Sequence, residues 1–166
     1  MSGSTFVEAL GNWFAAQVWS GREQRCATHL RMRGYEVFVP ASRQARRSGA
    51  LFPGYVFCRL SGDALGKVIT TPGVIRIVGD RLRPFPIPVS EIETIQRVAS
   101  TTLPTEPWPF LHAGQRVAIE SGPLRGAEGL FVRTKNVDRL VVSISMLLRS
   151  VAVEIDAKWI RAASQA

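Results

Sequence analysis

The sequence contains little cysteine, histidine or lysine, and it has no long uninterrupted apolar run. Among 166 residues there are two cysteines, two histidines and three lysines. Two cysteines far apart in the chain, Cys26 and Cys58, are too few for a disulfide framework or a cysteine-rich zinc site. No 18 consecutive residues are free of charge and proline, which argues against a membrane-spanning helix, and the first 11 residues lack the basic start and apolar core of a secretory signal. We therefore expect a reduced, cytoplasmic protein that does not enter a membrane.

Residue patterns typical of catalysis are also missing. Neither His29 nor His112 has a serine, cysteine or carboxylate arranged near it in the sequence. The glycine-rich segment 122–126 is not followed by the Lys-Ser/Thr pair of a phosphate-binding loop, and dinucleotide and metal-ligand spacings are absent. The sequence therefore predicts a binding protein without enzymatic activity, metal or cofactor. A small enzyme of unfamiliar type is the least favoured alternative.

Positive charge is the first informative feature that is present. The chain has 21 basic and 13 acidic side chains, a net charge of +8, and all but three of the basic ones are arginine. Arginine binds phosphates and carboxylates through two parallel hydrogen bonds. Residues 1–48 alone hold 7 basic and 3 acidic groups. This excess predicts a polyanionic partner, either nucleic acid or an acidic protein surface, with general solubility as the alternative.

A proline-rich segment divides the chain. Three prolines between positions 104 and 109 cannot continue a helix or a central strand. Strand and helix patterns alternate before this segment, and only strand patterns follow it. We therefore predict a first domain of residues 1–102, a linker of residues 103–111 and a second domain of residues 112–166.

The first domain is predicted to have an α+β fold. Its patterns follow the order β-α-β-β-α-β-α, which is typical of an antiparallel sheet with flanking helices. Ser20 to Glu23 and Ser90 to Glu93 have the spacing of capping boxes at helix starts, and Gly34 predicts the end of the first helix. Four basic residues lie within a narrow arc on one side of that helix. They are Arg22, Arg25, His29 and Arg33.

The second domain is predicted to be a small SH3-like barrel made only of strands. Five short strand patterns cover residues 116–120, 129–134, 139–145, 150–155 and 159–160. Turn residues such as Gly122, Pro123 and Asn136 separate them. Closely spaced short strands with such corners are typical of closed all-β barrels.

Three motifs in the first domain stand out together. They are Trp13-Phe14, the sequence LFPGYVF at residues 51–57 and the sequence TPGV at residues 71–74. In the last two, a Pro-Gly turn leads into a strand. Alternation from Tyr55 to Leu60 gives that strand two largely apolar faces, one of which also carries Arg59. We predict that the face with Tyr55 and Phe57 is an exposed docking surface, with packing in the core as the alternative.

These motifs, together with the barrel that follows, resemble the NusG family of bacterial transcription elongation factors. The glycines and apolar residues from Gly114 to Gly129, followed by RLVVSIS and SVAVEID, are similar to a KOW module. The resemblance covers about residues 12–162. It implies an N-terminal NGN-type domain, which is an antiparallel sheet with flanking helices, and a C-terminal KOW barrel. The departure from the family sequence at residues 147–148 favours a specialised antitermination paralogue within the family.

The resemblance implies a non-enzymatic, monomeric factor that binds the clamp helices of RNA polymerase and modulates pausing, termination and antitermination. By motif, the polymerase-binding residues are Trp13, Phe14, Gln17, Phe52, Tyr55, Phe57 and Val74, with a second, bridging contact at Ala64, Leu65 and Lys67. The residues expected to contact DNA of the transcription bubble are Arg22, Arg25, Arg43, Arg46 and Arg47. For the last three, a solvated hairpin tip is the alternative.

The resemblance also implies that the KOW barrel recruits Rho or a small-subunit ribosomal protein. The expected contact is the loop between its third and fourth strands, formed by Met146, Leu147, Leu148 and Arg149. In housekeeping family members the corresponding stretch resembles Phe-Gly-Arg. Leu147 therefore stands at the aromatic position and Leu148 at the glycine position. We predict that both leucines lie outside the barrel core; the alternative is that one folds back beneath it. The alternative function is that of a ribosome- or RNA-binding KOW protein.

Overall fold

The structure, a computed structural model, describes residues 11–43, 49–62, 64–80 and 82–163. Contacts group the chain into two compact units. One comprises the chain up to Val39 together with Phe52–Val89, and the other comprises Pro40–Leu51 together with the chain from Ser90 onward. The domain boundary at residues 103–111 stays a prediction, because grouping by contacts does not show which parts fold independently.

The first unit contains a four-stranded antiparallel sheet and two helices. In chain order the elements are β1 (Asn12–Val18), α1 (Glu23–Met32), β2 (Glu36–Phe38), β3 (Tyr55–Leu60), α2 (Ala64–Ile69) and β4 (Val74–Ile77). The strands are arranged β2-β3-β1-β4. A third helix, α3 (Val89–Ser100), follows and belongs almost entirely to the second unit. The predicted order of strands and helices is confirmed.

One face of this sheet packs against α1 and α2. Alternate residues of the two central strands point to this face because side chains alternate along a strand. They form one buried cluster with helix residues: Phe14, Ala16, Val18, Cys26, Ala27, Leu30, Val56, Cys58, Leu60 and Val68. Burial, and to a lesser degree Cys26, raises the pKa of the Cys58 thiol to about 12. Both cysteines are thus free, buried side chains that pack as small hydrophobic residues.

The helix starts differ from the prediction, whereas the end of α1 does not. Helix α1 begins at Glu23 without a side-chain cap, and α3 begins at Val89, so that Ser90 already lies inside its first turn. Both capping-box predictions are therefore wrong. Gly34 follows α1 with φ of +88°, a conformation that glycine adopts without steric cost, as predicted.

The second unit contains a six-stranded antiparallel sheet. Its strands are β5 (Thr105–Trp108), β6 (Gln115–Ile119), β7 (Glu128–Thr134), β8 (Val137–Ile144), β9 (Arg149–Glu154) and β10 (Ile160–Ala162). They are arranged β10-β6-β7-β8-β9-β5. Leu140, Val151 and Val153 are fully buried within it. The five predicted strands are confirmed to within a few residues, and with them the mixed fold with an all-β second part.

The proline-rich segment is not irregular throughout. Residues 105–108 form β5, which pairs with β9 so that Thr105 lies opposite Val153 and Trp108 opposite Ser150. Proline is tolerated in β5 because this strand lies at the edge of the sheet, where one side needs no ladder partner. An edge strand agrees with the prediction that the prolines exclude a helix or a central strand, and the assignment of residues 103–111 as a linker stays a prediction.

Among the described residues, no helix is long and apolar enough to cross a membrane.

Candidate functional site

Two Pro-Gly turns lie on either side of the C-terminal end of β1. In the first, the Tyr55 amide donates to the Phe52 carbonyl at 3.1 Å and Gly54 has φ of +84°. In the second, the Val74 amide donates to the Thr71 carbonyl at 3.1 Å and Gly73 has φ of +92°. Proline followed by glycine at positive φ is the signature of a type II turn. The turns start β3 and β4, which flank β1 in the sheet.

The buried carboxylate of Glu23 fixes the first of these turns against α1. Its Oε1 accepts hydrogen bonds from the amides of Gly54 at 2.8 Å and Gly21 at 3.1 Å. Burial alone would raise the pKa of Glu23, but the backbone amides that donate to the carboxylate outweigh it and hold the pKa below its ordinary value. Glu23 is therefore a structural anion, which explains why it does not serve in a capping box.

The second face of the sheet carries a buried aromatic layer. Phe57 is fully buried, and its ring meets that of Phe52 edge-on with 5.6 Å between centroids and that of Phe38 at 6.3 Å. Trp13 is also buried, and its carbonyl accepts the amide of Ile87 at 2.8 Å. The prediction that this face exposes its aromatic residues is wrong for these side chains, because they pack in a second layer on that face.

A row of accessible side chains crosses the same face at the end of the sheet next to the two Pro-Gly turns; Tyr55 and Gln17 are half-buried and Arg76 is exposed. Tyr55 on β3, Gln17 on β1 and Arg76 on β4 lie opposite one another in register. Arg76 Nε donates to Gln17 Oε1 at 2.8 Å, so both side chains are held in place. We call Tyr55, Gln17 and Arg76 the sheet row. It presents a phenol, an amide and a guanidinium side by side.

The sequence does not predict that Arg76 belongs to the sheet row, because the pairing of β4 with β1 contains a bulge. Gln17 pairs with Arg76, whereas the next residue, Val18, pairs with Val74, so Ile75 has no partner on β1. The extra residue breaks the alternation that assigns side chains to faces. The motif Val74-Ile75-Arg76-Ile77 gives no signal of this in the sequence.

Several residues predicted to bind polymerase lie away from the sheet row. Phe14 belongs to the helix-facing core, and Val74, Ala64 and Leu65 are half-buried against that core. Of the three predicted residues on α2, only Lys67 is exposed. The Lys67 carbonyl accepts from Arg33 Nη1 at 2.7 Å. The structure thus divides the predicted polymerase-binding set into a buried part and a smaller accessible part.

The predicted nucleic-acid residues fall into two groups. Arg22 and Arg25 are exposed at the start of α1 in the first unit. Arg43 is exposed in the second unit, two residues after Ala41, which forms an antiparallel bridge with Ala50. Arg46 and Arg47 lie outside the described residues.

The predicted docking loop of the second unit separates its two leucines. Residues Ser145–Leu147 form one turn of 3₁₀ helix, in which Leu147 is only 9% exposed. Leu148 follows with φ of +51° and is 60% exposed, next to the exposed Arg149. Met146 is half-buried. The prediction that both leucines lie outside the core is wrong for Leu147, because the 3₁₀ turn directs it inward and leaves only Leu148 exposed.

Helix α3 contacts the same loop. The Glu91 carboxylate accepts from the Ser145 hydroxyl at 2.7 Å and from the Ser145 amide at 3.3 Å. This bond lies at the first residue of the 3₁₀ turn and helps to fix the turn that presents Leu148.

The comparison with protein families agrees with this arrangement. Residues 11–96, more than half of the chain, match the family model described as transcription termination factor nusG. The matched segment begins just before β1 and includes both Pro-Gly turns and the sheet row. The chain belongs to the NusG family.

Relatives within the NusG family support the assignment over most of the chain. The transcription termination/antitermination protein NusG of Escherichia coli strain K12 is 30% identical over 169 residues, covering 87% of this chain and 92% of that protein. The Helicobacter pylori 26695 protein of the same name is 25% identical, with 87% and 94% covered. A solved structure of Thermotoga maritima NusG has a TM-score of 0.60 at 22% identity, covering 92% of this chain and 97% of that one. This last likeness supports the two-part NusG fold.

The described residues of this NusG-family chain contain no group of three or more metal-ligating side chains. His112 instead packs edge-on against Phe110, with 4.9 Å between ring centroids. Among the predicted contact regions, the accessible ones are the sheet row, Lys67, the exposed arginines and the loop at Leu148.

Proposed function

We propose that this chain is a transcription elongation factor that acts in termination or antitermination by binding RNA polymerase through the sheet row. Its membership of the NusG family and its relatives, named as termination/antitermination proteins, support the general role. The observation that carries the specific proposal is the half-exposed Tyr55 beside a rigid aromatic layer. A tyrosine fixed on a rigid strand binds at low entropic cost, because few of its rotamers are lost on binding.

The chemistry of the sheet row suits the clamp helices of the polymerase. A partner helix with apolar side chains and carboxylates on one face would complement the Tyr55 ring and the Arg76 guanidinium. Gln17 already orients the Arg76 guanidinium at 2.8 Å, so less side-chain entropy is lost when an acidic partner binds. Trp13, Phe52 and Phe57 support this surface from beneath without contacting the partner.

A second contact is proposed at the exposed side chain of Lys67 on α2. The turn after α2 is stiffened because the Thr71 hydroxyl and Arg33 both donate to the Lys67 carbonyl. Ala64 and Leu65 then serve mainly to pack α2 on the core. Nucleic acid of the transcription bubble is proposed to contact Arg22, Arg25 and Arg43.

The barrel is proposed to recruit Rho or a small-subunit ribosomal protein through Leu148 and Arg149. An exposed leucine beside an arginine offers an apolar anchor with an adjacent charge, as interface centres commonly do. Leu147 is left out of this contact because it is buried. The chain is proposed to act in the cytoplasm, where transcription and translation share one compartment in bacteria.

The test compares two tyrosine variants in the full chain. Tyr55→Ala is expected to weaken binding to purified RNA polymerase at least tenfold, the factor that corresponds to a loss of about 1.4 kcal/mol or more at an interface anchor. Tyr35→Ala is the matched control, because Tyr35 is the only other tyrosine, is also half-buried and packs on the helix-facing core. It is expected to lower stability without changing affinity for polymerase.

The proposal would be refuted if Tyr55→Ala bound polymerase with unchanged affinity while its melting temperature fell as in Tyr35→Ala. A pull-down from bacterial lysate tests the alternative function. Ribosomal subunits captured without polymerase would favour a ribosome-binding KOW protein.

A further inference from the structure

Strand β5 is the last strand at one edge of the six-stranded sheet, where its sheet neighbour is β9. It consists of four residues, Thr105–Trp108, and one of them, Pro107, has no amide hydrogen to donate. The other five strands, which are those predicted for the barrel, follow one another as β10-β6-β7-β8-β9 and stay paired without β5. Releasing β5 therefore breaks a single ladder, and short edge elements of this kind open at a lower free energy than the core of a sheet.

The register of β5 nevertheless suits docking on β9. The Pro104 carbonyl, just before the strand, accepts the amide of Glu154 at 2.9 Å. Hydrogen-bonded and non-hydrogen-bonded positions alternate along an antiparallel ladder. Pro107, which lies opposite Val151, therefore falls at a non-hydrogen-bonded position, where its missing amide hydrogen costs no ladder bond. The proline does not weaken the docked strand.

Arg139 on β8 holds β5 from the far side of β9. Its Cζ lies 5.1 Å from the centroid of the Trp108 ring, and its Nε lies 3.7 Å from Oε1 of Glu106. The β9 residue opposite Glu106 is Ala152, whose small side chain leaves room for the guanidinium to reach across. Nη1 donates to the Thr134 hydroxyl, which fixes the arginine on its own hairpin. The side chain is only 14% exposed, so its attraction to the ring and the carboxylate is little screened by water.

The same arginine also carries a group that opposes docking. Its Nε is buried and has no hydrogen-bond partner among the described residues, because 3.7 Å to the Glu106 carboxylate is beyond hydrogen-bond distance. A buried donor without a partner raises the free energy of the docked state, and water would satisfy it once β5 has left. Stacking and charge attraction thus favour docking, while the unsatisfied nitrogen favours release.

We propose that β5 is a detachable strap and that Arg139 is the latch that keeps it on β9. With the strap docked, residues 101–104 alone join α3 to the sheet, and with the strap released residues 101–114 join α3 to β6. Four residues span at most about 14 Å, whereas fourteen span up to about 50 Å. The strap therefore sets how far the five barrel strands can move from α3, without any of those strands unfolding.

Hydrogen exchange at two adjacent amides of the full chain, followed by NMR, tests whether the strap detaches. The Glu154 amide donates to Pro104 beside the strap, whereas the Ile155 amide donates to the Asp138 carbonyl on β8 at 3.0 Å. Release of β5 exposes the first amide and leaves the second bonded. Glu154 should therefore exchange at least tenfold faster than Ile155 after correction for their intrinsic rates. Equal rates would show that β5 opens only together with the barrel, which overturns the proposal.

The variant Arg139→Gln tests the latch. It removes the charge and the stacked guanidinium, so exchange at Glu154 should accelerate about tenfold while exchange at Ile155 stays unchanged. Arg161→Gln is the matched control, because it removes an ion pair with Glu120 on β10, at the opposite edge of the sheet, and should change neither amide. If Arg139→Gln accelerated both amides equally, Arg139 would stabilise the whole barrel. If it accelerated neither, Arg139 would hold nothing. Either result overturns its role as the latch.

A covalent lock gives the converse test. Glu106 and Ala152 lie opposite each other at a hydrogen-bonded position, where Cα atoms are about 5.5 Å apart, a spacing that suits a disulfide. In the variant Glu106→Cys with Ala152→Cys, oxidation should slow exchange at Glu154 to the rate of Ile155, and reduction should reverse this. The chain's own cysteines are buried in the first unit and do not compete. Fast exchange at Glu154 in the oxidised, bridged variant would show that this amide opens without release of β5, and would overturn the proposal.

Discussion

Replacing Leu148 by glycine is expected to stabilise the second unit while removing the proposed docking side chain. Leu148 has φ of +51° and ψ of 42°, the left-handed helical conformation. In that conformation the Cβ of an L-residue crowds the following carbonyl, at a cost of about 1–2 kcal/mol. Because the side chain is 60% exposed, its removal sacrifices little burial.

The magnitude follows from two opposing effects. Glycine removes the crowding, which stabilises the folded state. It also has more conformational freedom than leucine in the unfolded chain, and this lowers the free energy of unfolding by about 0.5–1 kcal/mol. The free energy of unfolding is expected to rise by about 0.5–1 kcal/mol. For a chain of this size, each kcal/mol raises the melting temperature by about 2–4 °C. Urea titration should show a higher midpoint with an unchanged slope.

Lys135→Gly provides a matched control for Leu148→Gly. Lys135 also has positive φ, +50°, and lies in the hairpin turn between β7 and β8, away from the docking loop. Both variants should be more stable than the unchanged chain, but only Leu148→Gly should lose binding to Rho or the ribosomal partner. A lower midpoint in Leu148→Gly would show that Leu148 packs more than its exposure indicates, and would refute the reasoning.

Two further predictions concern the buried neighbours of these surfaces. Leu147→Ala should lower the free energy of unfolding by about 2–3 kcal/mol, because it deletes most of a buried leucine side chain. Calorimetry measures this loss. A loss below about 0.5 kcal/mol would show that Leu147 does not pack in the core. Glu23→Gln should cost about 1.5 kcal/mol or more at pH 7, because the carboxylate accepts charge-assisted hydrogen bonds from backbone amides. The pKa of Glu23 in the folded protein is lowered, so its stabilising effect is present above the ordinary carboxyl pKa and is lost as pH falls through the folded value. The difference between Glu23→Gln and the unchanged chain, followed by urea titration, should therefore shrink below about pH 4.5; a difference independent of pH would contradict it.

Local backbone requirements explain what the sequence could predict. Pro-Gly pairs at 53–54 and 72–73 determine turns through the φ of their own residues, and Gly34 ends a helix for the same reason. The hairpin turn at Asn136, with φ of +61°, follows from the tolerance of asparagine for this conformation. These features need no information about distant parts of the chain.

What the sequence could not predict depends on distant partners. Glu23 has capping-box spacing but bonds to Gly54, which lies 31 positions away. The Thr105–Trp108 segment becomes a strand only because β9 offers it an edge. Likewise, Leu147 and Leu148 are chemically identical, and only the 3₁₀ turn decides which is buried. For the polymerase, nucleic-acid and barrel contacts, the assigned residues stay predictions until they are tested.

The pairing of β5 with β9 has a consequence for the order in which the barrel forms during synthesis. Strands β6, β7 and β8 each pair with the next strand along the chain, so these three pairings join neighbouring segments. Strand β5 is made first, yet its residue Thr105 pairs with Val153, 48 positions later. At about 5–20 residues per second, β5 waits roughly 2–10 s without its partner. During that interval β9 has not been synthesised, so β5 has no strand to pair with. Trp108 of β5, which is half-buried in the folded protein, then lacks the β9 residues opposite it.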